Sequence, residues 1–273
     1  MDFFEDLIAE RLGGKLFGKS TEIYKFEKIK RAKAEATSKY PDIQIIDMGV
    51  GEPDIPADSG VVNKLAEEAG KPENRWYSDN GILEFQEAAA KYLEKVYQLS
   101  NIDPQKNIIH GIGSKPVLAI LPICLINPGD ITLATTPGYG VTSTYTRYLG
   151  GDVYNLPLAK ENSFFPDFTT IPDDILQRAK ILYINYPNNP TGQVATKSFF
   201  SSVVAFAKKN RIAVIHDAAY AAVTFDGYQP LSFLSIDGAK DVGIEVHSLS
   251  KAFNMTGWRL AFVAGNEKFV NAY

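Results

Sequence analysis

A lysine in the run Ser248-Leu-Ser-Lys251-Ala-Phe-Asn-Met-Thr-Gly257-Trp-Arg259 has the neighbours that a reactive amine needs. The amine can condense with an aldehyde, the hydroxyls of Ser248 and Ser250 can donate to phosphate oxygens, and Arg259 can give the same phosphate a charge-assisted fork. A pattern this short also fits a solvated lysine at a helix start, so it needs support from elsewhere in the chain. The segment Asp217-Ala-Ala-Tyr220 offers it. A carboxylate that closes an apolar run is costly to bury unless paired, and a protonated ring nitrogen is a suitable partner that keeps the ring an electron sink. Capping a following helix is the plainer use of Asp217.

Two turns add further polar groups. Asn188-Asn189-Pro190-Thr191-Gly192 reads first as a turn, from which Asn189 can donate its amide to a phenolate oxygen. Gly111-Ile-Gly113-Ser114-Lys115-Pro116 opens an apolar helical stretch. With Pro116 near the first turn, the amides of Ser114 and Lys115 can bind an anion, while a structural cap by Ser114 is the equal alternative. The third glycine of a dinucleotide fingerprint is lacking. Tyr139, in Thr136-Pro-Gly-Tyr139-Gly, can stack on a flat ring or pack in the core. Tyr77, in Arg75-Trp-Tyr77-Ser-Asp-Asn-Gly81, lies just before an amphipathic helix and fits a surface turn. His110, His216 and His247 have no metal-ligand spacing and read as structural, so no metal site is expected.

Alternating elements have to bring these residues together. Short apolar, β-rich runs occur at Ile131–Thr135, Val153–Leu156, Ile181–Asn185, Ile212–His216 and Val242–His247, with helix-period stretches at Leu83–Tyr97, Lys115–Leu125, Asp173–Arg178 and Lys197–Asn210. That alternation predicts an α/β fold of three layers, a mostly parallel sheet with helices on both faces. Such sheets bind ligands at the carboxyl ends of their strands. The Asn189 turn, Asp217 and the Lys251 turn each follow a strand directly, so they converge on one sheet edge. Before residue 60 the pattern changes, with a basic helix at Tyr24–Lys39, then Ile43–Met48 and the turn Gly49-Val50-Gly51.

Composition narrows the class. The chain has 273 residues, 45% hydrophobic and 22% charged, enough for a sizeable core and for one or two domains. A net charge of −4 gives no general attraction for nucleic acid or anionic membrane, so no partner of either kind is expected. Cys124, the single cysteine, excludes a disulfide framework within the chain and fits a reducing cytoplasm. Met1–Leu12 is acidic and amphipathic, unlike a targeting segment, and the chain reads as soluble and cytoplasmic.

Taken in this order, from about Gly49 to Gly265, the motifs resemble those of the fold-type I pyridoxal-phosphate enzymes, specifically the class I/II aminotransferases. The resemblance implies that Lys251 carries pyridoxal 5′-phosphate as a Schiff base and moves the proton between the substrate α-carbon and the cofactor C4′. It implies that Asp217 holds the pyridine nitrogen, that Asn189 and Tyr220 hold the ring oxygen, and that Tyr139 stacks on the ring. Ser248, Ser250, Arg259 and the Ser114-Lys115 amides would bind the phosphate, and Tyr77 would reach the phosphate of a neighbouring subunit in a homodimer with shared active sites. Within the class, Gly51-Glu-Pro-Asp, the segment around Tyr24 and Lys115 are most similar to the LL-diaminopimelate aminotransferases. By that match Tyr24, Gly51, Lys115, Tyr139 and Asn189 would face the substrate. The implied reaction moves an amino group between an amino acid and a 2-oxo acid, here LL-diaminopimelate or tetrahydrodipicolinate with 2-oxoglutarate or glutamate, in lysine biosynthesis. An aspartate-type or other amino-acid aminotransferase, a pyridoxal-phosphate C–S lyase on the same fold, and a non-catalytic binding module remain as alternatives. The implied organisation is an N-terminal arm with part of a small domain over 1–60 and a cofactor-binding large domain over 61–273. In the family the chain continues beyond Tyr273 into a small C-terminal domain that clamps the substrate α-carboxylate, so the large domain is expected to be incomplete here.

Overall fold

The structure, a computed structural model, describes residues 3–4, 7–19, 25–49 and 51–273. The chain divides into two units, Met1–Glu52 and Pro53–Tyr273. The first holds two single 3₁₀ turns and the helix Lys25–Lys39. After that helix the chain is irregular, with an exposed ion pair between Lys33 Nζ and Asp47 Oδ2 at 2.9 Å.

The second unit is built on seven strands: β1 (Ile108–Gly111), β2 (Ile131–Thr136), β3 (Asp152–Pro157), β4 (Ala179–Asn185), β5 (Ala213–Asp217), β6 (Gly243–Ser248) and β7 (Ala261–Gly265). Their order across the sheet is β1-β7-β6-β5-β4-β2-β3. β7 runs antiparallel to both of its neighbours, and the pairs from β6 through β3 are parallel. β4, β5, β6 and β7 are almost wholly buried, as expected for strands covered on both faces.

Side chains alternate between two cores, one on each face. Leu182, Ile184, Val214, Phe262 and Ala264 point into the core beneath the helices Leu83–Tyr97 and Lys197–Asn210. Ile181, Tyr183, Ile215, Ile244, Val246 and Val263 point into the other, with Val117 and Leu118 of the helix Ser114–Ile120 and Phe269 of Glu267–Ala272. Helix, sheet and helix therefore form the expected three layers. The helix Leu83–Tyr97 buries Ala89, Leu93 and Tyr97, spaced by one helical turn, and stops where Gln98 turns left-handed at φ 60°. The helix Lys197–Asn210 starts on Thr196, whose hydroxyl accepts the Phe199 N–H at 3.1 Å.

One expected helix is shorter than its pattern. The stretch Lys115–Leu125 is α-helical only as Ser114–Ile120 and continues as the 3₁₀ turn Leu121–Cys124, because Pro122 has no N–H and crowds the preceding turn. No helix among the described residues is long and apolar enough to cross a membrane.

Candidate active site

Strand register sets the centre of the site. Asn185 ends β4 directly opposite Asp217 at the end of β5, and alternation puts Tyr183, Asn185 and Asp217 on the same face as Ser114–Ile120. The Tyr183 hydroxyl donates to Asp217 Oδ2 at 3.0 Å, and the Ala219 N–H donates to Oδ1 at 3.2 Å. Asn185 Nδ2 donates to the Asp217 carbonyl at 2.8 Å. Its Oδ1 accepts the Asn189 N–H at 2.8 Å, which ties the Asn189 turn to the end of β5. Asn189 Nδ2 reaches the Tyr220 hydroxyl at 3.5 Å. No helix follows Asp217, only a turn, so helix capping is not its use.

Asp217 is 4% exposed and both carboxylate hydrogen bonds come from neutral donors. Burial therefore pushes its carboxyl above the usual aspartate range, against the opposing effects of the Tyr183 and Ala219 bonds. Burial also raises the Tyr183 phenol, reinforced by the Asp217 charge beside it. Tyr220 is raised by the same two causes, burial first. The arrangement is a buried acceptor held by a phenol and a backbone N–H, with a second phenol and an amide set beside it.

A second cluster forms where β1, β7 and β6 lie level. Gly111 pairs with Ala261, and Ala261 pairs with Ser248. At Gly113, φ is +84° and an added Cβ would fall 2.2 Å from Arg259 Nη2, so only glycine lets the guanidinium lie over the entry to the helix Ser114–Ile120. That helix has no side-chain cap, since Ser114 is its first residue and Gly113 holds the cap position. Arg259 is itself left-handed at φ 58° and is steadied by Nη1 donating to the Thr256 carbonyl at 2.8 Å. Ser248 caps the short helix Leu249–Ala252, its side chain accepting the Ser250 N–H at 3.2 Å. Lys251 sits half-buried on that turn. Ser248, Leu249 and Ala252 line one small cavity with Ala218, Ala219 and Ala222, which places the Lys251 turn beside the segment after Asp217.

The remaining expected residues are placed differently. Tyr139 is partly buried against the core on the Asp217 face. Lys115 is exposed, and Tyr77 is fully exposed beside Trp76, over whose ring Arg75 lies at 3.9 Å. Gly51 is exposed and belongs to the first unit, and Tyr24 lies outside the described residues.

Residues not singled out from the motifs also belong to this edge. Tyr183 and Asn185 hold Asp217 and Asn189, and their signal was present as two polar positions, two apart, in the otherwise apolar run Ile181–Asn185. Behind the sheet, Glu245 is fully buried between His216 and His247, a charged residue inside the apolar run of β6.

These features define a three-layer α/β unit whose polar clusters gather at the strand ends. The chain belongs to the class I and II aminotransferases, whose family model, "Aminotransferase class I and II", matches residues 43–273. It is 59% identical over 271 residues to an LL-diaminopimelate aminotransferase of Methanocaldococcus jannaschii and 56% identical to that of Methanococcus maripaludis, covering 99% of this chain in both cases. Among solved structures, apo-BacF of Bacillus subtilis superposes with a TM-score of 0.86 at 38% identity, covering 92% of this chain and 64% of that one. A probable N-succinyldiaminopimelate aminotransferase of Thermus thermophilus gives 0.83 at 31%, covering 90% and 66%. The chain spans 65% of the length of the two curated relatives.

Proposed function

We propose that this chain is the cofactor-binding part of a pyridoxal-phosphate aminotransferase acting on LL-diaminopimelate. The observation that carries the reading is the buried Asp217, fixed by Tyr183 and Asn185 at the same strand edge as the Lys251 turn and the Arg259–Gly113 cradle. The names of the most similar curated relatives support the substrate. Paired with 2-oxoglutarate or glutamate, the reaction would serve lysine biosynthesis, with the homodimer and shared sites that the resemblance implies.

The residues fit the cofactor by charge and shape. Asp217 needs the positive donor that a protonated pyridine nitrogen provides. Asn189 and Tyr220 can both donate to an oxygen on the ring edge nearest them. Ser248, Ser250, Arg259 and the free amides at Ser114 and Lys115 would hold the phosphate, with Gly113 leaving room for the guanidinium. When bound, pyridoxal phosphate supplies an electron sink for the bond broken at the substrate α-carbon. Lys251 Nζ is the amine that would hold the cofactor covalently and then move the α-proton. Tyr139 would cover the ring and exclude water. Tyr77, Tyr24, Gly51 and Lys115 are proposed to act on the phosphate and substrate side.

Reconstitution tests the reading. With pyridoxal phosphate the purified chain is expected to gain a visible absorption band that borohydride fixes onto Lys251. In a chain that also carries the family's small C-terminal domain, LL-diaminopimelate should discharge that band in preference to glutamate or aspartate. A chain that stays colourless refutes the cofactor assignment, whereas release of pyruvate and ammonia would point to the lyase alternative. In Gly113→Ala the methyl group must displace Arg259, costing one charge-assisted hydrogen bond of about 1.5–3 kcal/mol, hence a roughly 10- to 100-fold weaker Kd for pyridoxal phosphate by absorbance titration. Arg259→Ala should weaken binding comparably, and the double variant should not add to it.

A further inference from the structure

Glu245 is a fully buried carboxylate on the face of the sheet opposite to Asp217, and two donors and two imidazole nitrogens converge on it. Oε1 meets His216 Nδ1 at 2.8 Å and the Phe233 N–H at 2.7 Å. Oε2 meets the Ser232 hydroxyl at 2.5 Å and His247 Nε2 at 3.2 Å. Ser232 Oγ already accepts the Leu234 N–H at 3.1 Å, so its proton is free for Glu245. The Phe233 N–H donates to it and the Ser232 hydroxyl has its proton available for it, and donors of that kind favour the ionised form of a buried carboxylate.

His216 is the unusual member. Its Nδ1 faces that carboxylate, and its Nε2 lies 2.9 Å from the Tyr186 carbonyl. A carbonyl oxygen only accepts, and an ionised carboxylate only accepts. A neutral imidazole has one donor nitrogen and cannot satisfy both, whereas an imidazolium donates from both. We propose that His216 is held as a buried imidazolium by Glu245 and the Tyr186 carbonyl, and that this cation, adjacent to Asp217 on β5, is a positioning residue keeping the Asp217 carboxylate charged. His216 and Glu245 are paired directly across β5 and β6, so the sheet register itself builds the ion pair.

The other groups around the pair are compatible with a cation. His247 shares Glu245 from β6, and the phenols of Tyr92 and Tyr97, whose rings pack on His247, are kept neutral by burial. The Tyr186 hydroxyl is engaged with the Phe164 carbonyl at 2.8 Å. The rings of Phe200 and Phe233 flank His216 edge-on, with centroids 5.0 and 6.2 Å away. Asp217 stands on the opposite face of the same strand. A charge on His216 draws its carboxyl downward, opposing the larger effect of burial.

The charge state of His216 stands on geometry alone, while its use rests on the reading of Asp217 as partner of the ring nitrogen. The test therefore uses the chain without cofactor, so that failure of pyridoxal phosphate to bind is a separate result. In the assigned spectrum of the chain labelled with ¹⁵N-histidine, both ring nitrogens of His216 should be protonated near neutral pH. A neutral tautomer, with one unprotonated nitrogen, overturns the proposal. Following the Asp217 carboxyl by ¹³C, His216→Gln should raise its titration midpoint by about one pH unit, the size of a typical nearby-charge effect. An unchanged midpoint in a folded His216→Gln chain overturns the link to Asp217. If that variant does not fold, His216→Asn removes the same charge and should move the midpoint the same way, with no movement again overturning the link. If neither folds, the ¹⁵N result on the parent chain decides.

Discussion

Lys251→Ala is expected to yield a folded chain that still binds pyridoxal phosphate but gives no borohydride-fixed adduct. The contacts proposed for the phosphate, from Ser248, Ser250, Arg259 and the turn at Gly113, are independent of the lysine amine. Removing that amine leaves the Ser248 cap on the Ser250 N–H in place, so the turn itself should survive. What disappears is the covalent link and the group that moves the α-proton. The half-reaction with LL-diaminopimelate should slow by roughly 10⁴-fold, the upper end of what a positioned acid–base group contributes. Single-turnover absorbance measures the rate, and peptide mapping after borohydride locates the adduct. An adduct of undiminished yield on another lysine would remove Lys251 from its assigned role. Partial rescue by a small primary amine would separate the lost proton carrier from a misfolded site.

The periodicity of the chain made many elements readable before the structure. Leu83–Tyr97 and Lys197–Asn210 repeat apolar residues at helical spacing, and Thr196 caps the start of the second, whereas both end on left-handed residues, Gln98 and Arg211, of types that do not favour that backbone. The buried strands were readable because both faces are apolar. Strand order was not, since β7 is inserted antiparallel between β1 and β6, and no local pattern encodes which neighbour a fully apolar strand selects. Pro122 was visible, yet a run of good apolar helix residues on both sides outweighed it in the periodic reading.

The same distinction runs through the site. Lys251, Asp217, Asn189 and Arg259 sit in turns with small or polar neighbours, so their motifs stand out within a few residues. The residues supporting them do not, because their meaning is relational. Asn185 matters because it lies opposite Asp217, and Glu245 because it lies opposite His216, pairings across strands that only the sheet register creates. His216 and His247 were read as structural, and the structure places both on Glu245, in a pair of contacts that becomes informative only when donors and acceptors are counted.

Asp217→Asn should separate function from stability, because the two effects have opposite signs. For function, the ring nitrogen loses its charged partner, and α-proton transfer should slow by about 10²- to 10³-fold, as when one preorganised electrostatic contact is removed. For stability, the Asp217 carboxyl is raised above its ordinary value of 3.8, with burial as the largest cause. The folded chain then holds the proton more tightly than the unfolded chain, and stability falls as pH rises from the unfolded value through the folded one. Near neutral pH the ionised Asp217 is a cost to the cofactor-free fold. An asparagine removes that cost while its carbonyl keeps the Ala219 N–H, and the Tyr183 hydroxyl can turn to accept from the new amide. Thermal unfolding without cofactor should therefore show Asp217→Asn melting above the parent near neutral pH, with the gap closing as pH falls towards 3.8 and the parent carboxyl protonates. Pyridoxal phosphate should reverse the order by stabilising the parent more, since only the parent gains a paired charge. A variant that melts below the parent at every pH would mean that the Asp217 charge serves the fold and is not held in reserve for a ligand.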